Sequence, residues 1–422
     1  MKSKQLFFEE YKKLLINKLF RVRNYTEELI KPLEIEDLCL QGMPDASPPK
    51  WHLGHTTWFF ERLILKRYID NYKDENPKWD FIFNSYYESL GRRQPRAERG
   101  IITRPTIDEV LKWRSKVTKQ IEILINKQES INFELINLIE LGINHEEQHQ
   151  ELLLMDILDG FSRQPLEIVY DRKWEEKSIS QKKSNQSKGK VEWIHDKGGL
   201  REIGRNYDFN LLKGEEFCFD NECPQHKVWI EPFEIGKNLI TNKEYYLFIE
   251  DGGYKRPELW MSEGWQIKNQ RYWEAPRYWK KSTSSNAWHW EFTLNGIKKI
   301  NPSAPVRHIS WFEADAFSKW ANSRLPTEAE WEIVVRHLSK TNESISQANC
   351  FLWQWTSTPY KPYPGFKIAE GAIGEYNGKF MTSQYVLRGS SYLTPKGHER
   401  NTYRNFFPPY SRWMASGIRL AR

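Results

Sequence analysis

Asn144-His145-Glu146-Glu147-Gln148-His149-Gln150-Glu151-Leu152-Leu153-Leu154-Met155 is the stretch on which the reading of this chain turns. Leu138, Leu141, His145, Leu152 and Met155 recur at intervals of three, four or seven, the spacing of one helical face. The pattern predicts a helix from about Phe133 to Leu158 with His145 and His149 on its inward stripe, while Glu146, Glu147 and Gln150 point largely away. Two histidines four apart on a helix have Cβ atoms about 6 Å apart and can share one metal ion. Core histidines bonded to carbonyls or carboxylates are the alternative. His-Glu-Glu-Gln-His also satisfies the zinc-peptidase pattern His-Glu-x-x-His, in which Glu146 is the general base. A third ligand separates these readings.

Ser47-Pro48-Pro49 supplies an N-cap and first-turn prolines for an earlier helix that runs to about Ile69. On it Trp51, His55, Trp58 and Phe59 share a face, so His55 is the candidate third ligand, arriving from a different helix as a bundle metal site requires. His52, three residues before, is the weaker candidate. A first helix is expected from about Lys4 to Ile30, and Thr106-Ile107-Asp108-Glu109 is a capping box opening another to about Asn126. Together these predict an antiparallel four-helix bundle over residues 1–160. Residues 80–105 read as an irregular segment with five arginines. It is either a solvated connection or, through bidentate guanidinium forks, a site for carboxylates.

At 422 residues the chain exceeds one ordinary domain. Its net charge of +7 comes from lysines scattered among glutamates with no basic block, which argues against nucleic-acid binding. The N-terminus lacks a signal peptide's apolar run, and no window approaches the ~18 apolar residues of a membrane span, so a cytoplasmic protein is expected. Cys39, Cys218, Cys223 and Cys350 have neither framework nor zinc-site spacing and are expected to be reduced thiols. Residues 174–192 are Ser/Lys-rich and read as an exposed excursion inside a linker, 161–195. From 196 to 422, short strand-like runs and many tryptophans indicate an irregular α+β domain, with helices at Asn242–Glu250, at Trp311–Arg324 and after Thr327.

Arg324-Leu325-Pro326-Thr327-Glu328-Ala329-Glu330-Trp331-Glu332, with Thr241-Asn242-Lys243-Glu244-Tyr245 and Val386-Leu387-Arg388-Gly389-Ser390-Ser391, resembles the formylglycine-generating-enzyme and sulfatase-modifying fold. The histidine bundle resembles the DinB-like fold. Their fusion resembles the iron(II)-dependent sulfoxide synthases of ergothioneine biosynthesis, and Met43–Pro48 leading into Trp51–Phe59, Gly374–Met381 and Tyr403–Pro409 support the likeness.

The resemblance implies an Fe(II) site of His55, His145 and His149, with Gln148 contacting the imidazole substrate. Pro95-Arg96-Ala97-Glu98-Arg99 implies Arg96 and Arg99 as thiol-substrate or carboxylate contacts. Asn405, Phe406 and Phe407 match the segment lining the trimethylammonium end of that substrate, whose charge suits aromatic faces. Tyr86 and Tyr87 are the candidate proton sources. The implied substrates are hercynine, dioxygen and a thiol. Phe407, standing where the branch using γ-glutamylcysteine carries an acid, favours free cysteine. Ser390, Ser391 and Tyr392 offer no cysteine for formylglycine generation. Related 5-histidylcysteine sulfoxide or selenoneine synthesis shares the plan. A DinB-type metal-dependent thiol transferase and a non-catalytic binding protein are the readings of other classes.

Overall fold

The computed structural model describes residues 2–175, 191–207, 217–338, 345–368 and 374–422; most of the polar excursion expected at 174–192 lies outside them. The described residues form two compact units. One comprises residues 2–165 with residues 207, 217 and 374–376, and the other the described parts of Leu166–Asn206, Cys218–Ile368 and Asn377–Arg422. Among the described residues no helix is long and apolar enough to cross a membrane.

The first unit is helical: α1 (Lys2–Ile30), α2 (Pro49–Phe60), α3 (Trp79–Phe83), α4 (Ile107–Asn126) and α5 (Phe133–Ser162). α1 and α2 each pack chiefly on α4 and α5. The Thr106–Glu109 capping box opens α4 as its residues predict. Every side chain of α2 is buried, including His52, His55, Thr56 and Thr57, so its polar groups have to find partners inside the bundle. Ser47 does not cap α2. Pro48 holds the cap position with Pro49 as the first helical residue, and the Ser47 backbone N–H donates instead to Asp156 on α5 at 2.8 Å. α2 continues through a π turn, Glu61–Leu65, into Lys66–Tyr68, an irregularity frequent near functional sites. The segment read as irregular contains α3 and two 3₁₀ turns, Glu88–Leu90 and Arg96–Ile101.

The second unit is mixed. Strands β1 (Trp193–Asp196) and β4 (Phe233–Gly236) pair antiparallel, as do β2 (Gly199–Ile203) and β3 (His226–Ile230). β5 (Trp279–Lys281), β6 (Trp288–Thr293) and β7 (Gly296–Lys299) form a meander. β8 (Trp353–Pro359), β9 (Tyr385–Arg388), β10 (Asn405–Phe407) and β11 (Ser416–Gly417) form a four-stranded sheet in the order β10-β9-β8-β11, with β11 parallel to β8. Helices α6 (Asn242–Glu250), α7 (Ser262–Gln270), α8 (Trp311–Trp320) and α9 (Glu328–Leu338) complete it. α8 stops at Trp320, four residues short of the expected Arg324.

Strands this short make few ladder bonds, and the connecting loops are tied down by buried guanidinium–carboxylate pairs: Arg400–Glu222 at 2.8 Å, Arg404–Glu328 at 2.9 Å and Arg388–Glu332. Ile203, Ile230, Ile235, Trp331 and Val334 build a core between α9 and β2–β4. All four cysteines are free, with the Cys218 and Cys223 sulfurs 3.6 Å apart.

Candidate metal centre

His55 from α2 and His145 and His149 from α5 converge in the helical unit, each offering a ring nitrogen within 4.8 Å of the others. The Nε2 atoms of His55 and His145 stand 3.2 Å apart. All three rings are buried. Burial, with the neighbouring imidazoles, pushes the His55 and His149 rings well below the ordinary histidine range, and burial brings His145 down to about 3. Neutral rings with lone pairs aimed at a common point are what a metal ion needs.

The hydrogen bonds behind the rings say which nitrogens those are. His55 Nδ1 lies 2.6 Å from the Phe83 carbonyl oxygen, which can only accept, so Nδ1 carries the proton and Nε2 the lone pair. Trp51 stacks on the same ring at 4.6 Å, and Phe59 packs against His145 at 4.6 Å. Gly54 makes this arrangement possible, because a Cβ there would overlap the Phe83 ring. Gly54→Ala should therefore cost about 1–3 kcal/mol by overpacking and shift the Phe83 carbonyl from His55. Denaturant unfolding with and without metal checks both effects, and a neutral result in both would show that Phe83 does not hold the ring.

His52, the weaker ligand candidate, does not join the triad. Its Nδ1 meets His149 Nδ1 at 2.8 Å and its Nε2 meets Asp156 Oδ2 at 3.1 Å. Glu146 turns from the triad, but not toward solvent. It is fully buried, accepting from Thr26 Oγ1 at 2.6 Å, from Arg23 Nη1 at 2.9 Å and from Arg114 Nη2. Burial alone would raise its carboxyl, yet Arg114 and Arg23 outweigh that and bring it down to about 2. Glu147 and Gln150 are buried as well, since α1 covers the face that apolar spacing left open: Gln150 Nε2 donates to the Val22 carbonyl on α1 at 2.8 Å. A peptidase's general base would have to face the metal position, and Glu146 does not.

The arginine-rich segment splits. Arg96 is exposed, whereas Arg99 is 2% exposed, stacked 3.4 Å over Trp51, and donates to Ser47 Oγ at 2.8 Å and Ser85 Oγ at 3.3 Å. Among the described residues no carboxylate pairs with it and its Nε has no partner; burial, then Arg96 and Arg93, pull its guanidinium down to about 8.

Tyr87 is buried against Trp58, its hydroxyl pushed well above the ordinary range by burial and then by Tyr86. Tyr86 stacks on it at 4.8 Å and meets Tyr376 edge-on at 6.2 Å. Tyr376, to which sequence reasoning assigned no role, lies edge-on to His145 at 5.5 Å and donates its hydroxyl to Gln148 Oε1. Its neighbour Glu375 accepts the Glu88 and Ser89 backbone N–H groups at 2.9 and 3.0 Å, holding the turn that follows the tyrosine pair. No local signal places a tyrosine 228 positions from its partner; only the resemblance of the surrounding stretch marked it.

Asn405, Phe406 and Phe407 lie in the second unit on β10. Phe406 stacks face to face on Tyr360 at 4.1 Å, Phe407 meets Trp413 edge-on at 5.4 Å, and Asn405 Oδ1 accepts the Phe406 backbone N–H at 2.9 Å.

Residues 18–153 match the model of the DinB superfamily, and residues 178–346 that of the sulfatase-modifying factor enzyme 1-like domain. The fold is accordingly an N-terminal helical DinB-like region followed by a domain of mixed strands and helices like that of formylglycine-generating enzymes. The chain is 30% identical to the hercynine oxygenase of Mycobacterium tuberculosis over 49% of its own length and 56% of the relative's. Over 49% and 56% it is likewise 30% identical to the hercynine oxygenase of Mycolicibacterium smegmatis. It is 29% identical to the formylglycine-generating enzyme of Streptomyces coelicolor over 33% of its length and 47% of that protein's. The chain thus spans little more than half the length of the hercynine oxygenases it matches.

Proposed function

We propose that this chain is an iron(II)- and oxygen-dependent sulfoxide synthase, joining the sulfur of cysteine to the imidazole C2 carbon of hercynine. The observation that carries the reading is the triad: three buried neutral imidazoles from two helices, converging in a chain similar to hercynine oxygenases. Held by His55, His145 and His149, iron(II) would supply a redox-active centre with about half of its positions open to both substrates and dioxygen. The hercynine C2–H, the cysteine S–H and dioxygen balance to one C–S bond, one sulfoxide oxygen and one water.

The chain's own residues bind and orient. Arg99, a buried cation with no carboxylate partner among the described residues, is suited to a substrate carboxylate, with Arg96 nearby in sequence and exposed. Gln148, its amide held by the Tyr376 hydroxyl, orients the imidazole. The family resemblance alone assigns Phe406, Phe407 and Asn405 to the trimethylammonium group, a cation that donates no hydrogen bond and suits aromatic faces. Phe407 in place of an acid favours cysteine over γ-glutamylcysteine.

Anaerobic loading with iron(II), then oxygen, with cysteine, γ-glutamylcysteine or a selenosugar against hercynine or histidine, is the test. Mass spectrometry should find the hercynine–cysteine sulfoxide. A product from histidine, or from the selenosugar, would reassign the substrates to the 5-histidylcysteine or selenoneine branch. Thiol transfer without oxygen consumption would make it a transferase.

In this reading Tyr86 or Tyr87 moves the proton, and the contacts of Tyr376 with His145 and Tyr86 add it as a third candidate. Removing a positioned acid or base costs about 10²–10⁴-fold, so Tyr376→Phe should lower sulfoxide formation by that order or divert oxidation to the free thiol. Tyr86→Phe should do so less, and Tyr87→Phe, farther back in the core, least. An unchanged product ratio in all three would remove the tyrosines from the mechanism.

A further inference from the structure

The three ring nitrogens on the far side of the triad are held unequally. His55 donates Nδ1–H to the neutral carbonyl of Phe83, and His145 Nδ1 has no partner among the described residues. His149 Nδ1 faces His52 Nδ1 at 2.8 Å, and His52 Nε2 faces the buried Asp156 carboxylate at 3.1 Å. Asp156 Oδ2 also accepts the Ser47 backbone N–H at 2.8 Å. A carboxylate only accepts, so His52 carries its proton on Nε2 and presents the Nδ1 lone pair. His149 must then donate Nδ1–H to it, leaving its Nε2 as the ligand atom.

We propose that His52 and Asp156 are positioning residues: a carboxylate–imidazole relay that locks His149 into its ligating tautomer and makes it the strongest donor of the three. The inference rests on the metal reading above and adds an asymmetry that three equivalent histidines would lack. A carboxylate felt through one imidazole raises the basicity of the next, and ligand basicity favours the higher oxidation state of a bound metal. The centre is therefore tuned from the His149 side, by residues that do not touch the metal.

Two substitutions at one position separate this role from packing. In Asp156→Asn the amide oxygen can stand where Oδ2 stands and accept from both the Ser47 N–H and His52 Nε2–H, so the tautomers are kept and only the negative charge is lost. Asp156→Ala removes the acceptor as well, so His52 can take either tautomer and no longer locks His149.

Cobalt(II) affinity of the full chain, read from its absorption band against a competing chelator, should fall about 10–100-fold in Asp156→Ala and by less in Asp156→Asn. With iron bound, the ferric/ferrous potential should rise in both variants, about 59 mV for each tenfold change in the one-electron equilibrium. His52→Gln, whose amide oxygen can accept the same Nδ1–H, should keep more affinity than His52→Leu, and this pair reads the relay even if the Asp156 variants fold poorly. Loss in Ala no greater than in Asn, with Gln no better than Leu at position 52, would overturn the relay while leaving the metal site standing. Parental protein that binds no cobalt would overturn both.

Discussion

His145→Ala should lose oxygen-dependent sulfoxide formation by more than 100-fold, because even residues behind a ligand typically change metal affinity or activity by about 10–100-fold. His145 supplies the Nε2 that faces His55 across 3.2 Å, and no other described His, Cys, Asp or Glu joins the cluster to replace it. The metal-free fold should survive, since a buried imidazole whose Nδ1 has no partner among the described residues adds little through hydrogen bonding. Oxygen uptake and product mass, measured at saturating iron(II), test the first statement, and thermal unfolding of the metal-free protein tests the second. Chelation of the parental protein should abolish turnover, and iron(II) should restore it. Full turnover in the alanine variant would refute the ligand assignment.

The next largest effect is on stability. Glu146→Ala leaves Arg23 and Arg114, 2% and 0% exposed, without their shared carboxylate, and breaking a buried pair from one side costs about 3–5 kcal/mol. Glu146→Gln, which keeps the shape and an accepting oxygen, should cost less. The sign with pH follows from the depressed carboxyl. Its stabilisation is complete above the ordinary carboxylate value of 4.5 and is lost as pH falls toward about 2. The parental protein should therefore lose stability over that window faster than Glu146→Gln. Denaturant unfolding between pH 6 and pH 3 reads both effects. A stable Glu146→Ala protein that had lost only its activity would revive the general-base role of the His-Glu-x-x-His pattern.

Much of the helical unit was legible because its signals are local. The apolar interval around His145 marks a helix and its inward face, and Thr106 with Glu109 marks a helix start; both depend on neighbours within a turn or two. His55 was reachable by the same logic. What failed were inferences about the other side of a helix. Glu146, Glu147 and Gln150 lie off the apolar stripe and were assigned outward, but α1 packs over that face and supplies Arg23 and the Val22 carbonyl. Periodicity detects an apolar contact and is blind to a polar one. Ser47 shows the same limit: its residue type suits a cap, yet its backbone and hydroxyl are taken by Asp156 and Arg99 from distant positions.

By itself the sequence determined the two domain types, the helix pair that carries the triad and the identity of its three histidines, because each follows from short-range spacing or from long recognisable motifs. Only the tertiary structure decided that His52 bonds His149 and stands outside the triad, that Glu146 belongs to an ion-pair network, that Arg99 is the buried arginine and Arg96 the exposed one, and that Tyr376 stands beside His145. The physical reason is common to all four. Which groups a buried polar atom bonds is set by what packing brings within about 3 Å of it, and residues far apart in the chain carry no mark of that meeting.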